Sequence, residues 1–345
     1  MPPPVPPRYD TPEALAALGQ SFQQSRILLT AFELGLFTAL AEGAKTSEEV
    51  AKTVSADVRA TDRLLNALCA LGLVAKNGGA FTNGEAAQKF LVRGRPEYLS
   101  RLGHSANLYG RWAELTAAVR AGTRVSERRR DPEETAAFIE AMHYRGQRDA
   151  EELVARLDLS GVTRVLDVGG GSGAYAMAFC RARPGIAAVV LDLPEVVPLT
   201  RRYVEAAGLS GCITATPGNY LADGFGEGFD LVFFSAIVHI NPPDENLLLM
   251  RKAAAALNPG GRVVVQDFVM NDARTQPPFG AFFALNMLVN TEGGDTYTEA
   301  EIRTWLRKAG CPGVARIETG PHTAMIVGRK PAPGEMLRDE PDIGD

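Results

Sequence analysis

The chain has few of the residues that build metal centres, disulfide frameworks or nucleic-acid surfaces. Its 345 residues include four histidines and four cysteines, and the cysteines form no CxxC pair. Scattered cysteines are typical of reduced, buried thiols, so we expect neither a zinc site nor a disulfide scaffold, and no metal. The formal net charge of −5 provides no basic field for nucleic acid.

Long apolar runs are also missing. No stretch approaches the ~20 apolar residues needed to span a bilayer, and the first ten residues, MPPPVPPRYD, lack the apolar centre of a signal peptide. We therefore expect a cytoplasmic protein whose partner is a small molecule and not a membrane. With 46% hydrophobic residues, a chain of this length is sufficient for two domains and a large core.

A glycine-rich stretch, RVLDVGGGSGA at residues 164–174, is the most informative segment present. Its apolar start predicts a buried parallel strand with Asp167 near the carboxyl end. The glycines predict a tight turn, and Ser172 is expected to cap the helix that follows. A strand, a glycine turn and a helix N-terminus together form a ligand cradle at the carboxyl edge of an α/β sheet.

The loop alone fits two ligands. The pattern G-x-G-x-x-A from Gly169 matches the dinucleotide fingerprint, and the pattern D-x-G-x-G-x-G from Asp167 matches an S-adenosylmethionine loop equally well. Asp192, at the end of the run AAVVLD, suits ribose hydroxyls in either case. These residues alone do not decide between a dinucleotide and S-adenosylmethionine.

The amino-terminal region predicts a winged helix. Thr46 and Glu49 have the spacing of a capping box, Arg59–Leu71 has helical periodicity, and Asn77-Gly78 favours a hairpin turn. A DNA-recognition helix presents basic and polar groups, whereas the segment ATDRLLNALCALGL contains Arg63 as its one basic residue. The domain is therefore predicted to pack or dimerise, and a winged-helix regulator is the alternative from a different class.

The first helical segment, residues 11–41, has more apolar side chains than a lone helical pair can bury. Apolar surface of that size marks an interface, so we expect a homodimer through this domain. The residues on which this expectation rests are Phe22, Leu28, Phe32, Leu36 and Phe37.

Residues 98–157 are predicted to be helical in two pieces. The break lies around residues 121–134, where Arg128–Arg130 are expected to form a solvated charge cluster. Phe138 and Met142 share one helical face, which suits either core packing or the lining of a ligand pocket.

From Thr163 onward, strands and helices alternate. Helical patterns separate the first six apolar runs, and a short turn at Gly320-Pro321 separates the last two. Five parallel strands followed by an antiparallel hairpin form a mixed, doubly wound sheet. The runs are Arg164–Val168, Ala187–Leu191, Cys212–Ala215, Phe229–Phe234, Arg262–Phe268, Val314–Ile317 and Thr323–Val327.

With these segments placed, the chain resembles a class I S-adenosylmethionine-dependent methyltransferase. It is similar to the small-molecule O-methyltransferases of the caffeic acid and acetylserotonin type and their bacterial relatives. The resemblance covers roughly residues 11–330. The dinucleotide interpretation does not account for the motifs downstream of the glycine loop. The motifs are LLNALCALGLV, DVGGGSG, LDLPEVV, FDLVFFSAIVHINPPDEN, LNPGGRVVVQDF and GGDTYTEAEIRTWL.

The resemblance implies a Rossmann-like methyltransferase sheet with an amino-terminal winged-helix dimerisation domain. The implied division is a disordered start (1–10), the winged helix (11–97), a helical linker lining the pocket (98–157), the methyltransferase domain (158–330) and a disordered acidic tail (331–345).

The resemblance also implies S-adenosylmethionine as the methyl donor, S-adenosylhomocysteine as its product, and no metal. Asp192 would accept both ribose hydroxyls, Asn219 would face the adenine edge, and Tyr220 would stack on the adenine ring. A turn asparagine and a core tyrosine are the structural alternatives for the last two. The implied cofactor residues are Asp167, Gly169, Gly171, Gly173, Asp192, Leu193, Gly218, Asn219, Tyr220 and Ser235.

His239 matches the catalytic base of the family, and Asp267 matches the acidic residue that orients it. A phenol has a pKa near 10 and histidine a pKa near 6.5, so an imidazole is a reasonable base for a phenolic proton. The resemblance therefore implies O-methylation. Carbon methylation and non-methylating use of the cofactor are alternatives within the same fold.

The implied acceptor residues are apolar or aromatic with two amides, which suits an aromatic or polyketide-like phenol. They are Met142, Phe279, Phe283, Asn286, Met287 and Asn290, with Phe282 on the same stretch.

The chain departs from the plant pattern at three places near these residues. His239-Ile240-Asn241 stands where plant relatives have His-Asp-Trp, Ser235 replaces a lysine, and Thr296 replaces an acidic residue. Cofactor contacts and one contact to the base are therefore expected to differ.

Overall fold

The computed structural model describes residues 9–126 and 132–335. They belong to two compact units that divide between Tyr109 and Gly110. Residues 1–8 of the proline-rich start, the Arg128–Arg130 cluster and residues 336–345 of the acidic tail lie outside the described residues. The predicted domain boundaries at 97/98 and 157/158 stay a prediction.

The first unit contains the expected winged helix. Its elements are α1 (Pro12–Gln20), α2 (Phe22–Glu33), α3 (Leu36–Ala39), β1 (Lys45–Thr46), α4 (Ser47–Thr53), α5 (Val58–Ala70), β2 (Val74–Asn77), β3 (Ala80–Asn83), α6 (Glu85–Phe90) and the start of α7 (Arg101–Trp112). The capping box is present, since the Thr46 side chain accepts from the Glu49 N–H and the Glu49 carboxylate accepts from the Thr46 N–H.

The hairpin of the wing turns one residue later than predicted. Asn77 is still in the ladder, paired with Ala80, and the turn consists of Gly78 and Gly79. Both glycines have positive φ, 56° and 87°, which the favoured two-residue hairpin turn requires.

The apolar surface of this unit differs from the prediction. Phe32, Leu36 and Phe37 are buried inside the unit, since Leu36 and Phe37 belong to its core and the Phe32 ring stacks on Tyr98. The prediction that they exceed what the layer can bury is therefore wrong for these three. The large apolar side chains that α1 and α2 leave exposed are Leu15, Leu18 and Phe22.

The second unit is an α/β domain. Its further elements are α8 (Leu115–Ala121), α9 (Pro132–Ala155), β4 (Arg164–Val168), α10 (Ala174–Ala182), β5 (Ala187–Asp192), α11 (Val197–Ala206), β6 (Ile213–Pro217), β7 (Phe229–Ser235), a 3₁₀ turn (Val238–Ile240), α12 (Pro243–Ala256), β8 (Leu257–Asp267), β9 (Val269–Met270), α13 (Pro278–Asn290), β10 (Tyr297–Thr298), α14 (Glu299–Lys308), β11 (Gly313–Glu318) and β12 (Ala324–Arg329). The region from 98 to 157 thus has a second break, between α7 and α8, in addition to the predicted one.

Within the described residues, the main sheet has seven strands in the order β11-β12-β8-β7-β4-β5-β6. Strands β4 to β8 are parallel, and β12 is antiparallel to both of its neighbours, which confirms the predicted sheet and hairpin. One predicted helix is wrong: residues 218–228, between β6 and β7, form a loop of turns, bends and irregular backbone. Gly226 and Gly228 there have φ of 74° and 82°, which a helix does not allow.

Both faces of the sheet are buried under helices. Along β7, Leu231 and Phe233 face the core that contains α10, whereas Val232 and Phe234 face the core that contains α12. The parallel strands therefore end at one polar edge, the position where α/β sheets bind ligands. No helix in residues 9–126 or 132–335 is long and apolar enough to cross a membrane.

Candidate active site

The glycine loop follows β4 at this edge. Gly169, Gly171 and Gly173 have φ of 66°, 57° and 78°, so the turn requires glycine as predicted. A Cβ at Gly169 would also lie 2.4 Å from Ile237 Cδ1, so the isoleucine side chain would have to shift. The loop leads directly into α10 and presents backbone to the cleft.

Asp192, at the end of β5, ties this loop in place. Its Oδ2 accepts a hydrogen bond from the Gly171 N–H at 2.7 Å, and its Oδ1 accepts from the Leu193 N–H at 2.7 Å. Both carboxylate oxygens therefore hold backbone N–H groups of the loops that follow β4 and β5.

Asp167 lies under the loop and is almost completely buried. Its Oδ2 has no hydrogen-bond partner among the described residues, and a Cβ on Gly170 would lie 2.6 Å from that oxygen. Burial, helped by the charge of Asp192 and opposed by the Ala176 N–H, raises the pKa of Asp167 to about 7. An unpartnered buried acceptor costs free energy, so this oxygen suits a ligand that brings a cationic donor to the loop.

Residues 218–221 follow β6 and lie beside Asp192. The Gly218 N–H donates to the Asp192 carbonyl at 2.8 Å. Asn219 is exposed, and its Oδ1 accepts from the Leu221 N–H at 2.9 Å, which is an Asx turn. The turn uses Oδ1 of Asn219, and the contact of its amide with the adenine edge stays a prediction. The Tyr220 hydroxyl donates to Asn241 Oδ1 at 3.3 Å, so its ring is held at the cleft.

Ser235 lies at the end of β7, opposite Gln266 of β8. Its hydroxyl donates to Gln266 Oε1 at 2.7 Å. The glutamine was not singled out from the sequence. Its position directly before Asp267 in a strand that ends at the cleft is the signal that points to it.

His239 and Asp267 form a buried pair. Nδ1 of His239 donates to Asp267 Oδ1 at 2.7 Å, and the same carboxylate accepts from the Phe268 N–H at 2.8 Å. Since an ionised carboxylate can only accept, Nδ1 has a proton, and in the neutral imidazole the lone pair is therefore on Nε2. The imidazole is thus fixed in the tautomer that a general base requires.

The backbone around His239 is fixed as well. Asn246 Nδ2 donates to the carbonyls of Val238 and Asn241 at 2.9 and 3.1 Å. The His239 carbonyl accepts from the Asp295 N–H at 3.0 Å. Buried side chains and a neighbouring loop therefore hold the 3₁₀ turn that carries the base.

Thr296 takes a structural position in this loop. It is buried, and its hydroxyl donates to the Gly280 carbonyl at 3.2 Å, at the start of α13. The threonine at this position therefore connects the loop to the start of α13.

Aromatic rings surround the base. The Phe283 ring packs edge-on against His239 with centroids 4.9 Å apart, and Phe268 lies 4.5 Å from Phe283 and 5.3 Å from Phe279. Phe282 lies on another face of α13 and is 64% exposed, so it does not belong to this cluster. The cluster makes an apolar wall for a flat ligand.

The two predicted amides of α13 bond to each other and to a tryptophan. Trp112 Nε1 donates to Asn286 Oδ1 at 3.0 Å, and Asn290 Nδ2 donates to the same oxygen at 3.2 Å. Met287 is buried on this helix. Trp112 was not expected at the site, because it is far from α13 in sequence.

Helix α9 supplies a further wall. Met142 is half-buried, and one turn later the Arg145 guanidinium lies 5.9 Å from the Phe268 ring centroid. Met142 and Arg145 are three residues apart and so share a face toward the aromatic cluster.

His143, between them, is buried and packs elsewhere. Its Nδ1 lies 2.9 Å from Ser172 Oγ, and its ring stacks on Tyr203 with centroids 3.9 Å apart. Burial lowers the pKa of His143. Ser172 therefore anchors the glycine loop to α9, and the prediction that it caps α10 is wrong, since Gly173 occupies the cap position.

Comparison with known proteins agrees with this geometry. Residues 112–312, more than half of the chain, match the model of an O-methyltransferase domain, and residues 17–93 match an O-methyltransferase dimerisation domain. The chain belongs to the O-methyltransferase family.

Relatives of this O-methyltransferase include enzymes for different methylation sites. It is 34% identical over 325 residues to 3-hydroxy-5-methyl-1-naphthoate 3-O-methyltransferase of Streptomyces sahachiroi, covering 91% of this chain and 93% of that protein. It is 37% identical over 181 residues to L-tyrosine C(3)-methyltransferase of Streptomyces lavendulae, covering 52% of this chain and 50% of that protein.

Among solved structures, the chain resembles PigF with SAH, a protein from Serratia sp. The TM-score is 0.85 at 27% identity, covering 93% of this chain and 100% of that chain. In residues 9–126 and 132–335, no group of three or more His, Cys, Asp or Glu side chains is arranged to hold a metal ion.

Proposed function

We propose that this O-methyltransferase transfers the methyl group of S-adenosylmethionine to a phenolic hydroxyl of an aromatic or polyketide-like small molecule, with His239 as the general base. The observation that carries the proposal is the buried hydrogen bond between His239 Nδ1 and Asp267, beside an aromatic wall at the ligand-binding edge. The name of the naphthoate methyltransferase among the relatives supports an aromatic acceptor.

The cofactor would lie along the glycine loop. Asp192, which holds the Gly171 and Leu193 N–H groups at the end of β5, would accept the ribose hydroxyls. The unpartnered Oδ2 of Asp167 would accept from the ammonium of the methionine part. Leu193, Gly218, Tyr220 and Ser235 would complete the site. S-adenosylmethionine supplies a methyl group on a cationic sulfur, a leaving group that needs no acid.

What remains for the protein is to prepare the acceptor oxygen. Nε2 of His239 would remove the phenolic proton as the oxygen attacks, and Asp267 would hold the tautomer and stabilise the imidazolium that forms. Phe268, Phe279 and Phe283 would orient the ring and exclude water. Met142 and Met287 would contribute apolar contact.

We also propose that the protein is a homodimer through its first unit. Support comes from the match to the dimerisation domain and from the exposed side chains of Leu15, Leu18 and Phe22 on α1 and α2. An apolar set of this kind favours burial in an interface.

The test is turnover with methyl-labelled S-adenosylmethionine and a set of phenols. We expect a labelled methyl ether, identified by mass and by the position of the label. Label on ring carbon would replace this proposal with carbon methylation, the activity printed for one relative. No transfer to any phenol, together with a DNA gel shift, would favour a regulator instead.

A further inference from the structure

Lys252 of α12 holds the loop between β6 and β7, residues 218–228, by its backbone. Its Nζ donates to the carbonyls of Tyr220, Leu221 and Asp223 at 2.9, 2.6 and 2.9 Å. A lysine ammonium has three N–H donors and no acceptor. All three donors are therefore used within the loop, and none is left for a ligand.

This part of the loop has no helix or strand to fix its shape. The N–H groups of Ala222 and Asp223 donate to the Asn219 carbonyl at 3.0 and 2.7 Å, which closes one tight turn. The next carbonyls converge on the Lys252 ammonium. Hydrogen bonds from a charged donor are stronger than neutral ones, so this side chain contributes much of what orders the loop.

The position of Lys252 is specific to this role. The side chain is half-buried, and burial lowers the pKa of its ammonium while the charge of Asp223 opposes that change. A partly desolvated cation is costly unless acceptors surround it, and the three loop carbonyls are those acceptors. Lysine and loop therefore stabilise each other.

The same helix also holds the turn that carries the base. Asn246, less than two turns earlier on α12, donates to the carbonyls of Val238 and Asn241. The Tyr220 hydroxyl donates to Asn241 Oδ1 at 3.3 Å. One helix thus positions both the β6–β7 loop and the base, and a hydrogen bond connects the two.

We propose that Lys252 is a positioning residue for the cofactor: it holds residues 220–223 in the conformation that receives S-adenosylmethionine, and thereby sets cofactor affinity without touching the cofactor. The inference rests on the proposed place of Gly218 and Tyr220 in the cofactor site. A loop that is ordered in advance does not have to be ordered at the moment of binding, so less of the interaction free energy is lost.

The first test measures S-adenosylhomocysteine binding by calorimetry. Lys252→Met keeps the length of the side chain and removes all three donors, so it should weaken binding by about tenfold or more. Lys252→Arg should restore part of the affinity, because it supplies cationic N–H donors, although in a planar fork.

Lys330→Met is the matched control. Lys330 Nζ also donates to backbone carbonyls, those of Ala254 and Leu257, at 2.8 and 2.7 Å, but at the other end of α12. This variant should lower the melting temperature and leave S-adenosylhomocysteine affinity unchanged. An equal loss of affinity in the two methionine variants would overturn the inference, as would unchanged affinity in Lys252→Met.

Tyr220→Ala separates this inference from the proposed function. If Tyr220→Ala weakens S-adenosylhomocysteine binding and Lys252→Met does not, the loop belongs to the cofactor site and the role of Lys252 is wrong. If neither variant changes the affinity, the proposed place of the loop in the cofactor site is wrong as well.

A second test uses the wild-type protein and does not depend on the folding of any variant. Linkage is reciprocal, so a ligand that binds better to the ordered loop must also stabilise the hydrogen bonds of Lys252. Acetylation by acetic anhydride requires Nζ to leave the three carbonyls. Saturating S-adenosylhomocysteine should therefore slow acetylation of Lys252 several-fold and leave that of Lys330 unchanged, as followed by peptide mass spectrometry. Equal rates for Lys252 with and without the ligand would overturn the inference.

Discussion

Gly294 packs directly on the backbone of His239. A Cβ at Gly294 would lie 2.3 Å from the His239 carbonyl oxygen and 2.8 Å from that of Ile240. Its neighbour Asp295 donates its N–H to the same His239 carbonyl. The glycine is required for close approach of two backbone segments and thereby sets the position of the base.

Replacing Gly294 with alanine should therefore move the base. We expect a loss of about 1–3 kcal/mol in the free energy of unfolding from overpacking. We also expect turnover to fall by up to about 10²-fold from misplacement of the imidazole. Thermal unfolding and steady-state kinetics measure both. Gly211→Ala is the control, since nothing lies within 4 Å of a Cβ there, and equal behaviour of the two variants would contradict the argument.

The raised pKa of Asp167 makes stability depend on pH. Its ordinary pKa is 3.8 and burial raises it to about 7 in the fold, so between these values the folded state binds more protons than the unfolded state. Stability of the ligand-free protein should fall as the pH rises through this window. Asp167→Asn should flatten that dependence and stabilise the protein at neutral pH.

The comparison of melting temperature against pH for the wild type and Asp167→Asn isolates this group from the other carboxyls. The same variant should weaken S-adenosylmethionine binding, since an amide does not carry the charge that an ammonium favours. Parallel curves of melting temperature against pH for the two proteins would show that Asp167 is ionised throughout this pH window.

His239→Ala should lower turnover by about 10²–10⁴-fold while cofactor affinity stays nearly unchanged, because the imidazole serves the acceptor side. Asp267→Ala should cost less, since the carboxylate orients the base without touching the substrate proton. Raising the pH should partly restore His239→Ala as the phenol ionises by itself near pKa 10. Full turnover of the variant at neutral pH with saturating acceptor would make His239 structural.

The exposed apolar residues of α1 and α2 should hold the dimer together. We expect Leu18→Glu with Phe22→Glu to give a monomer by light scattering at micromolar concentration, because a buried charge is costly at an apolar interface. Leu248→Glu, on an exposed apolar side chain of α12, is the control and should leave the mass unchanged. A monomeric wild type would refute the proposal directly.

Local sequence patterns determined much of the fold. Alternation of apolar runs and helices predicted the sheet, since parallel strands buried on both faces need continuous apolar segments. Thr46 and Glu49 predicted a cap because a capping box is complete within four residues. The glycines at 169, 171 and 173 predicted a turn that only their positive φ permits.

The tertiary structure decided what distant segments do to one another. The sequence placed Ser172 at a helix cap, but α9 brings His143 to its hydroxyl and removes that role. The sequence shows that Asn286 is polar. Its amide orientation depends on Trp112, 174 residues away, whose indole N–H donates to Asn286 Oδ1. The sequence likewise could not tell that Phe32 is covered within its own unit while Phe22 is exposed. Burial and hydrogen-bond direction depend on neighbours in space, which periodicity along the chain does not encode.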